Sequence, residues 1–142
     1  MKAEVLSPCE SPKACFIPFF ASPVQAGFPS PATDYDCDAL DLNEYLIAHK
    51  SATFFVRARG NSMVGAGIQD NDLLIVDRSI GPEHRDIVIA IVDNDFTVKR
   101  LHKQGKRILL LPENPEYAPI EFKDGQECQI WGIVTSVIHR FL

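Results

Sequence analysis

Short apolar runs rich in β-branched and aromatic residues, separated by polar turns, fill the chain from Ala52 onward. Ala52 to Arg59, Leu73 to Asp77 and Asp86 to Val92 each predict a strand. Phe96 to Lys103 follows a tight Asp93-Asn94-Asp95 turn, which predicts a hairpin with the strand before it. Arg107 to Leu111, Ile120 to Phe122 and Cys128 to Ile138 complete the set. Strands at this spacing, with no helical segments between them, predict a mostly β, barrel-like or sandwich body. A short helix is expected from Asp41 to about Ala48, with Asp41 as its cap and Glu44 as the capping-box partner.

The start of the chain has a different pattern. Pro8, Pro12, Pro18, Pro23, Pro29 and Pro31 crowd the first 31 residues, and the other four of the ten prolines are spread over the remainder. Proline fixes φ and lacks an N–H, so no regular helix is expected there. The pattern predicts an extended N-terminal arm over residues 1–40 and a folded domain over residues 41–142. Phe16, Ile17, Phe19, Phe20, Val24 and Phe28 give the arm more large apolar groups than a purely solvating tail carries, which points to docking on the domain or on a partner.

Composition narrows the function. Fourteen Lys and Arg against nineteen Asp and Glu give a net charge of −5, unsuited to gripping nucleic acid phosphates. Contact with DNA is therefore expected only through protein partners. No apolar run approaches the roughly 18 residues of a membrane span, and no signal peptide is read, so the cytoplasm is the expected compartment. Cys9, Cys15, Cys37 and Cys128 form no CxxC pair, so zinc is not expected and reduced thiols are. The chain carries no P-loop and no dinucleotide fingerprint, and no cofactor is expected.

Three features carry candidate chemistry. In Gly60-Asn61-Ser62-Met63 a glycine permits a sharp turn after a strand, which can present the Ser62 hydroxyl beside main-chain N–H groups. In Phe96-Thr97-Val98-Lys99-Arg100-Leu101, strand alternation puts Thr97, Lys99 and Leu101 on one face. A lysine desolvated there loses its proton more readily and can act as a general base. In Val24-Gln25-Ala26-Gly27-Phe28 small residues flank a bond in an extended segment, which suits a protease that binds its substrate as a strand. Each alone also fits an ordinary turn serine, a solvated lysine and a linker. His49, His84, His102 and His139 sit in no triad signature, and Ser62 lacks the Gly-x-Ser-x-Gly elbow.

Together with Gly27-Phe28-Pro29-Ser30-Pro31-Ala32, Ser51-Ala52-Thr53-Phe54-Phe55-Val56, Asp70-Asn71-Asp72-Leu73-Leu74-Ile75-Val76-Asp77 and Asp86-Ile87-Val88-Ile89-Ala90, these motifs make the chain resemble the UmuD family. These are self-cleaving mutagenesis proteins related to the C-terminal domain of the LexA repressor, with plasmid-borne relatives of the MucA and RumA kind. The resemblance runs from about Pro18 to about His139, with cleavage bond, serine and lysine in family order and at family spacing. It implies the LexA and signal-peptidase-like β fold and a homodimer. Ser62 would be the nucleophile, Lys99 the general base, Ala26-Gly27 the scissile bond, and the N–H groups of Ser62 and Met63 the oxyanion hole.

The resemblance further implies cleavage stimulated by the RecA nucleoprotein filament in the SOS response to DNA damage. The shortened product would serve a UmuC-like Y-family translesion polymerase. A rival reading keeps the dimeric polymerase accessory protein and leaves the dyad idle. Two positions depart from the family pattern: Asn61 stands where many relatives carry aspartate, and Arg85 where a glycine is common. Arginine would be strained if that turn needs a positive φ. Residues 1–26 are too short and proline-rich for the helix-turn-helix of a repressor.

Overall fold

A computed structural model describes residues 2–6, 13–20, 37–123 and 126–142. The expected positions Cys9, Val24, Ala26, Gly27 and Phe28 lie outside the described residues. Contacts divide the chain into two compact units, Met1–Glu10 with His49–Leu142, and Ser11–Ala48.

The larger unit is one eight-stranded antiparallel sheet in the order β1-β4-β5-β10-β6-β7-β8-β9. Its strands are β1 (Lys2–Leu6), β4 (Thr53–Arg59), β5 (Leu73–Asp77), β6 (Ile87–Val92), β7 (Asp95–Gln104), β8 (Arg107–Leu111), β9 (Ile120–Phe122) and β10 (Gln129–Ile138). The mostly β expectation is met, and from β4 onward the strands agree with the sequence reading to within a residue or two. The β6–β7 turn forms as expected: Asp93 and Asn94 both take positive φ, the mirror-image turn that matches strand twist. The smaller unit pairs β2 (Phe16–Phe20) with β3 (Cys37–Asp41) and adds α1 (Leu42–Leu46). Asp41 caps α1 as expected, its Oδ1 accepting from the Asn43 N–H at 3.1 Å. Phe16, Ile17 and Phe19 are exposed.

Strands β1, β2 and β3 were not read from the sequence as strands. Each is five residues long, and β2 carries Pro18, opposite Ala39. Proline cannot donate to a ladder, so it is tolerated only in edge positions such as a two-stranded ribbon provides.

The sheet curls. β1 ends the strand order at one side, yet it lies against β7, five places along. Central strand β10 bends at two register shifts, between Ile130 and Gly132 and between Val134 and Ser136. A Cβ on Gly132 would come 2.5 Å from Val76 Cγ1, so only glycine lets β10 approach β5 this closely. The curl gives two apolar clusters. One holds Val56, Ala58, Met63, Ile68, Leu74, Val76, Ile89 and Val98, and the other Val88, Ala90, Leu101, Leu110 and Ile133. Alternate residues of β6 and β7 enter different clusters, which explains why both faces of these strands are apolar.

Asp77, at the end of β5, is 3% exposed. Burial pushes its pKa up, but hydrogen bonds from Ser79 and His49 outweigh this and hold the carboxyl below the ordinary aspartate range. His49 Nδ1 lies 2.6 Å from Asp77 Oδ2, and the Ser79 N–H and Oγ donate to Oδ1.

Two outcomes follow from these contacts. Gly132→Ala should lower stability by about 1–3 kcal/mol in urea denaturation, through overpacking against Val76. A carboxylate with a lowered folded pKa contributes stability that is full above its unfolded value of about 3.9 and is lost as pH falls through the folded value. Asp77→Asn should therefore flatten the fall in urea midpoint below about pH 4, while an unchanged acid limb would contradict this account.

Candidate active site

The strand–turn boundary after β4 sets the first component. Gly60 takes φ of 97° and turns the chain, and its N–H donates to Asp70 Oδ1 at 2.7 Å. Ser62 follows, 1% exposed. Met63 and Ile68, both in the apolar cluster, anchor the turn from below. A 3₁₀ turn over Val64–Ala66 closes it, with the Ala66 and Ile68 N–H groups donating to the Met63 carbonyl.

The loop after β8 grips the turn from its other side. The Glu113 N–H donates to the Ser62 carbonyl at 2.8 Å, and the Gly65 N–H donates to the Glu113 carbonyl at 2.8 Å. Asn114 Nδ2 donates to the Asn61 carbonyl at 2.8 Å. A Cβ on Gly65 would lie 2.6 Å from that Glu113 oxygen, so the grip requires glycine. The Glu113 side chain is held in turn by Arg100 Nε, whose guanidinium also donates to the Arg85 carbonyl at 2.7 Å. Arg85 sits at φ 80°, the left-handed conformation expected to strain an arginine there.

β7 brings the second component. Lys99 is 5% exposed on the same strand face as Thr97 and Leu101. Its Nζ lies 3.3 Å from Ser62 Oγ, 2.9 Å from Thr97 Oγ1 and 3.1 Å from the Val98 carbonyl. Burial pushes the Lys99 pKa down. No carboxylate among the described residues forms an ion pair with it. The site thus disfavours the ammonium, and among the described residues it offers no ion pair to rescue it.

The arrangement has a simple chemical reading. A neutral amine has two N–H groups and one lone pair. Thr97 Oγ1 and the Val98 carbonyl can take the two N–H groups, which leaves the lone pair for the Ser62 hydroxyl. Among the described residues, none accepts a hydrogen bond from the main-chain N–H of Ser62 or Met63. No histidine joins Ser62. His49 is bound to Asp77, His139 to Asp72, and His84 stacks edge-on against His102.

The structure thus brings Ser62 and Lys99 together, while Ala26 and Gly27 lie outside the described residues. Thr97, Glu113 and Asn114 were not singled out from the sequence. Thr97 had a signal, its shared face with Lys99, whereas Glu113 acts mainly through its backbone, which no sequence pattern reports.

Comparison with known proteins settles the family. The Peptidase S24-like profile matches residues 18–135. The chain belongs to this family. It is 51% identical over 124 residues to Protein ImpA of Escherichia coli, covering 87% of this chain and 83% of that protein. It is 41% identical over 137 residues to Protein MucA of Escherichia coli, covering 95% and 92%. LexA repressor 1 of Geobacter sulfurreducens shares 40% identity over 110 residues, 75% of this chain and 52% of that protein. MucA and LexA are among the relatives to which the motif resemblance pointed, so that recognition holds. Family membership makes this domain peptidase-like in kind. Among the described residues, no helix is long and apolar enough to cross a membrane.

A test of the electrostatics needs no substrate. A lysine with a lowered folded pKa makes stability rise with pH between that value and the ordinary lysine value of about 10.4. Below that window the folded chain carries the cost of desolvating the amine or its cation. Lys99→Met should therefore be more stable than the parent at pH 7, by chemical denaturation. The gap should narrow as pH rises towards the ordinary lysine range. A destabilised Lys99→Met at pH 7 would remove desolvation as the dominant effect at this site.

Proposed function

We propose that this chain is a self-cleaving serine peptidase of the SOS mutagenesis response, cut between Ala26 and Gly27. The observation that carries the reading is the approach of a buried, carboxylate-free Lys99 to a buried Ser62 at 3.3 Å in a chain of the S24-like family. Neutral Lys99 accepts the Ser62 proton as Oγ attacks the Ala26 carbonyl carbon. The tetrahedral oxyanion is received by the N–H groups of Ser62 and Met63. Lys99 then returns the proton to the amine of Gly27 as the bond breaks. An acyl-enzyme on Ser62 remains, and water hydrolyses it with Lys99 again as base. The products are residues 1–26 and residues 27–142.

A substrate tethered in the same chain is present at high effective concentration, so a modest dyad suffices. The RecA nucleoprotein filament acts by favouring the cleavable arrangement of the arm, a shift of population that leaves the chemistry to the dyad. The shortened product forms a homodimer in the cytoplasm and serves a UmuC-like Y-family translesion polymerase. The acidic balance supports contact with DNA through such partners and not directly.

The test is mass spectrometry after incubation with RecA, single-stranded DNA and a nucleotide. A product beginning at Gly27 is expected, absent in Ser62→Ala and slowed at least about a hundredfold in Lys99→Ala. Cleavage without RecA should accelerate as pH rises, because deprotonation of Lys99 creates the base. A chain that stays intact under all these conditions leaves only the polymerase accessory role with an idle dyad.

A further inference from the structure

Ser62 and Lys99 are almost wholly buried, so a scissile bond reaches Ser62 only if something moves. The strand that borders both elements of the site is Lys2–Leu6. β1 pairs antiparallel with β4 in the register Lys2↔Arg59, Glu4↔Arg57 and Leu6↔Phe55. β4 runs directly into the serine turn, and Lys2 stands opposite Arg59, its last residue. β1 also lies against β7, the strand that carries Lys99. One short segment therefore lies beside both halves of the dyad.

The hydrogen-bond directions of β4 define what this edge accepts. The Ala58 N–H donates to the Asp72 carbonyl and the Ala58 carbonyl accepts from Asn71, so Ala58 faces β5. Alternation along an antiparallel strand then turns the main-chain groups of Phe55, Arg57 and Arg59 towards β1. Without β1 this row would be a bare sheet edge ending at the nucleophile, a surface built to accept an extended peptide.

Lys2–Leu6 is held there lightly. Val5 is half-buried and packs against the apolar cluster, Glu4 faces Arg57 across the pair, and Glu4 and Leu6 are exposed. Five residues on one edge, with Val5 the apolar anchor among the described side chains, form a strand that can leave at modest cost.

We propose that Lys2–Leu6 is an internal occupant of the β4 edge that closes the dyad, and that cleavage requires its departure. The proposal rests on the self-cleavage reading and adds the element that restrains it. The cleavage rate is then the rate of the open form multiplied by its population. An open population of about one in ten slows cleavage about tenfold.

The experiment compares RecA-independent cleavage at one alkaline pH for the full chain, a variant lacking residues 2–6, and Glu4→Pro, which removes a ladder N–H. Both variants should cleave roughly threefold to tenfold faster than the parent. The amides of Phe55, Arg57 and Arg59 should lose hydrogen-exchange protection in both. A synthetic peptide with the sequence of residues 2–10, added to the deletion variant, should slow its cleavage, while a scrambled peptide should not. A deletion variant that cleaves no faster than a parent that does cleave would overturn the proposal and leave the peptidase reading intact. If no form cleaves, the peptidase reading falls. The exchange and peptide-binding measurements then still report whether the β4 edge holds this segment, and failure to bind the peptide would overturn that part separately.

Discussion

Desolvation of one amine organises the active half of this molecule. An ammonium placed among apolar neighbours without a counter-charge is costly, and among the described residues the usual remedy, a carboxylate paired with Lys99, is missing. Burial therefore pushes the Lys99 pKa down, towards the neutral amine. A serine and a lysine can only work as a pair when the lysine is the neutral partner. The apolar packing of β7 therefore sets the surroundings of Lys99, and the curl of the sheet, which gives β7 a core on both faces, makes that packing possible.

Precision at Ser62 comes from elsewhere. The serine turn is held from below by Met63 and Ile68 and from the side by the Glu113 backbone. Arg100 ties the two components together, because it follows Lys99 on β7 and its guanidinium holds Glu113. Lys99 and Ser62, which reside on distant parts of the chain, are thus fixed through one short chain of contacts. The strained φ of Arg85 sits at the far end of that chain, where the Arg85 carbonyl accepts from the same guanidinium. The departure from glycine at this position is tolerated inside a fixed hydrogen-bonded frame, which is the setting in which such conformations persist.

Much of this was legible in the residues. The strands from β4 onward follow their β-branched and aromatic runs because burial on the sheet rewards those types locally. Ser62 and Lys99 stood out because a glycine turn and a strand lysine with apolar neighbours each carry a mechanism. The strands of the first 41 residues did not stand out. Lys2–Leu6 becomes a strand because β4 offers it an edge, and Phe16–Phe20 because Cys37–Asp41 does, so their conformation belongs to the pairing and not to the segment. The Glu113 grip was hidden for a related reason. Main-chain N–H and carbonyl groups are the same in every residue, and only the fold decides which of them meet.

The position of β1 also bears on how the protein is made. Synthesis runs from the N-terminus, so Lys2–Leu6 and its partner Thr53–Arg59 both exist before Lys99 is added. β1 and its seat on β4 precede Lys99 in time as they do in sequence. A nascent chain has no interval in which Lys99 is present while the strand packed against β7 is still to come. Vectorial translation alone places both strands of this pair before Lys99 in every new molecule.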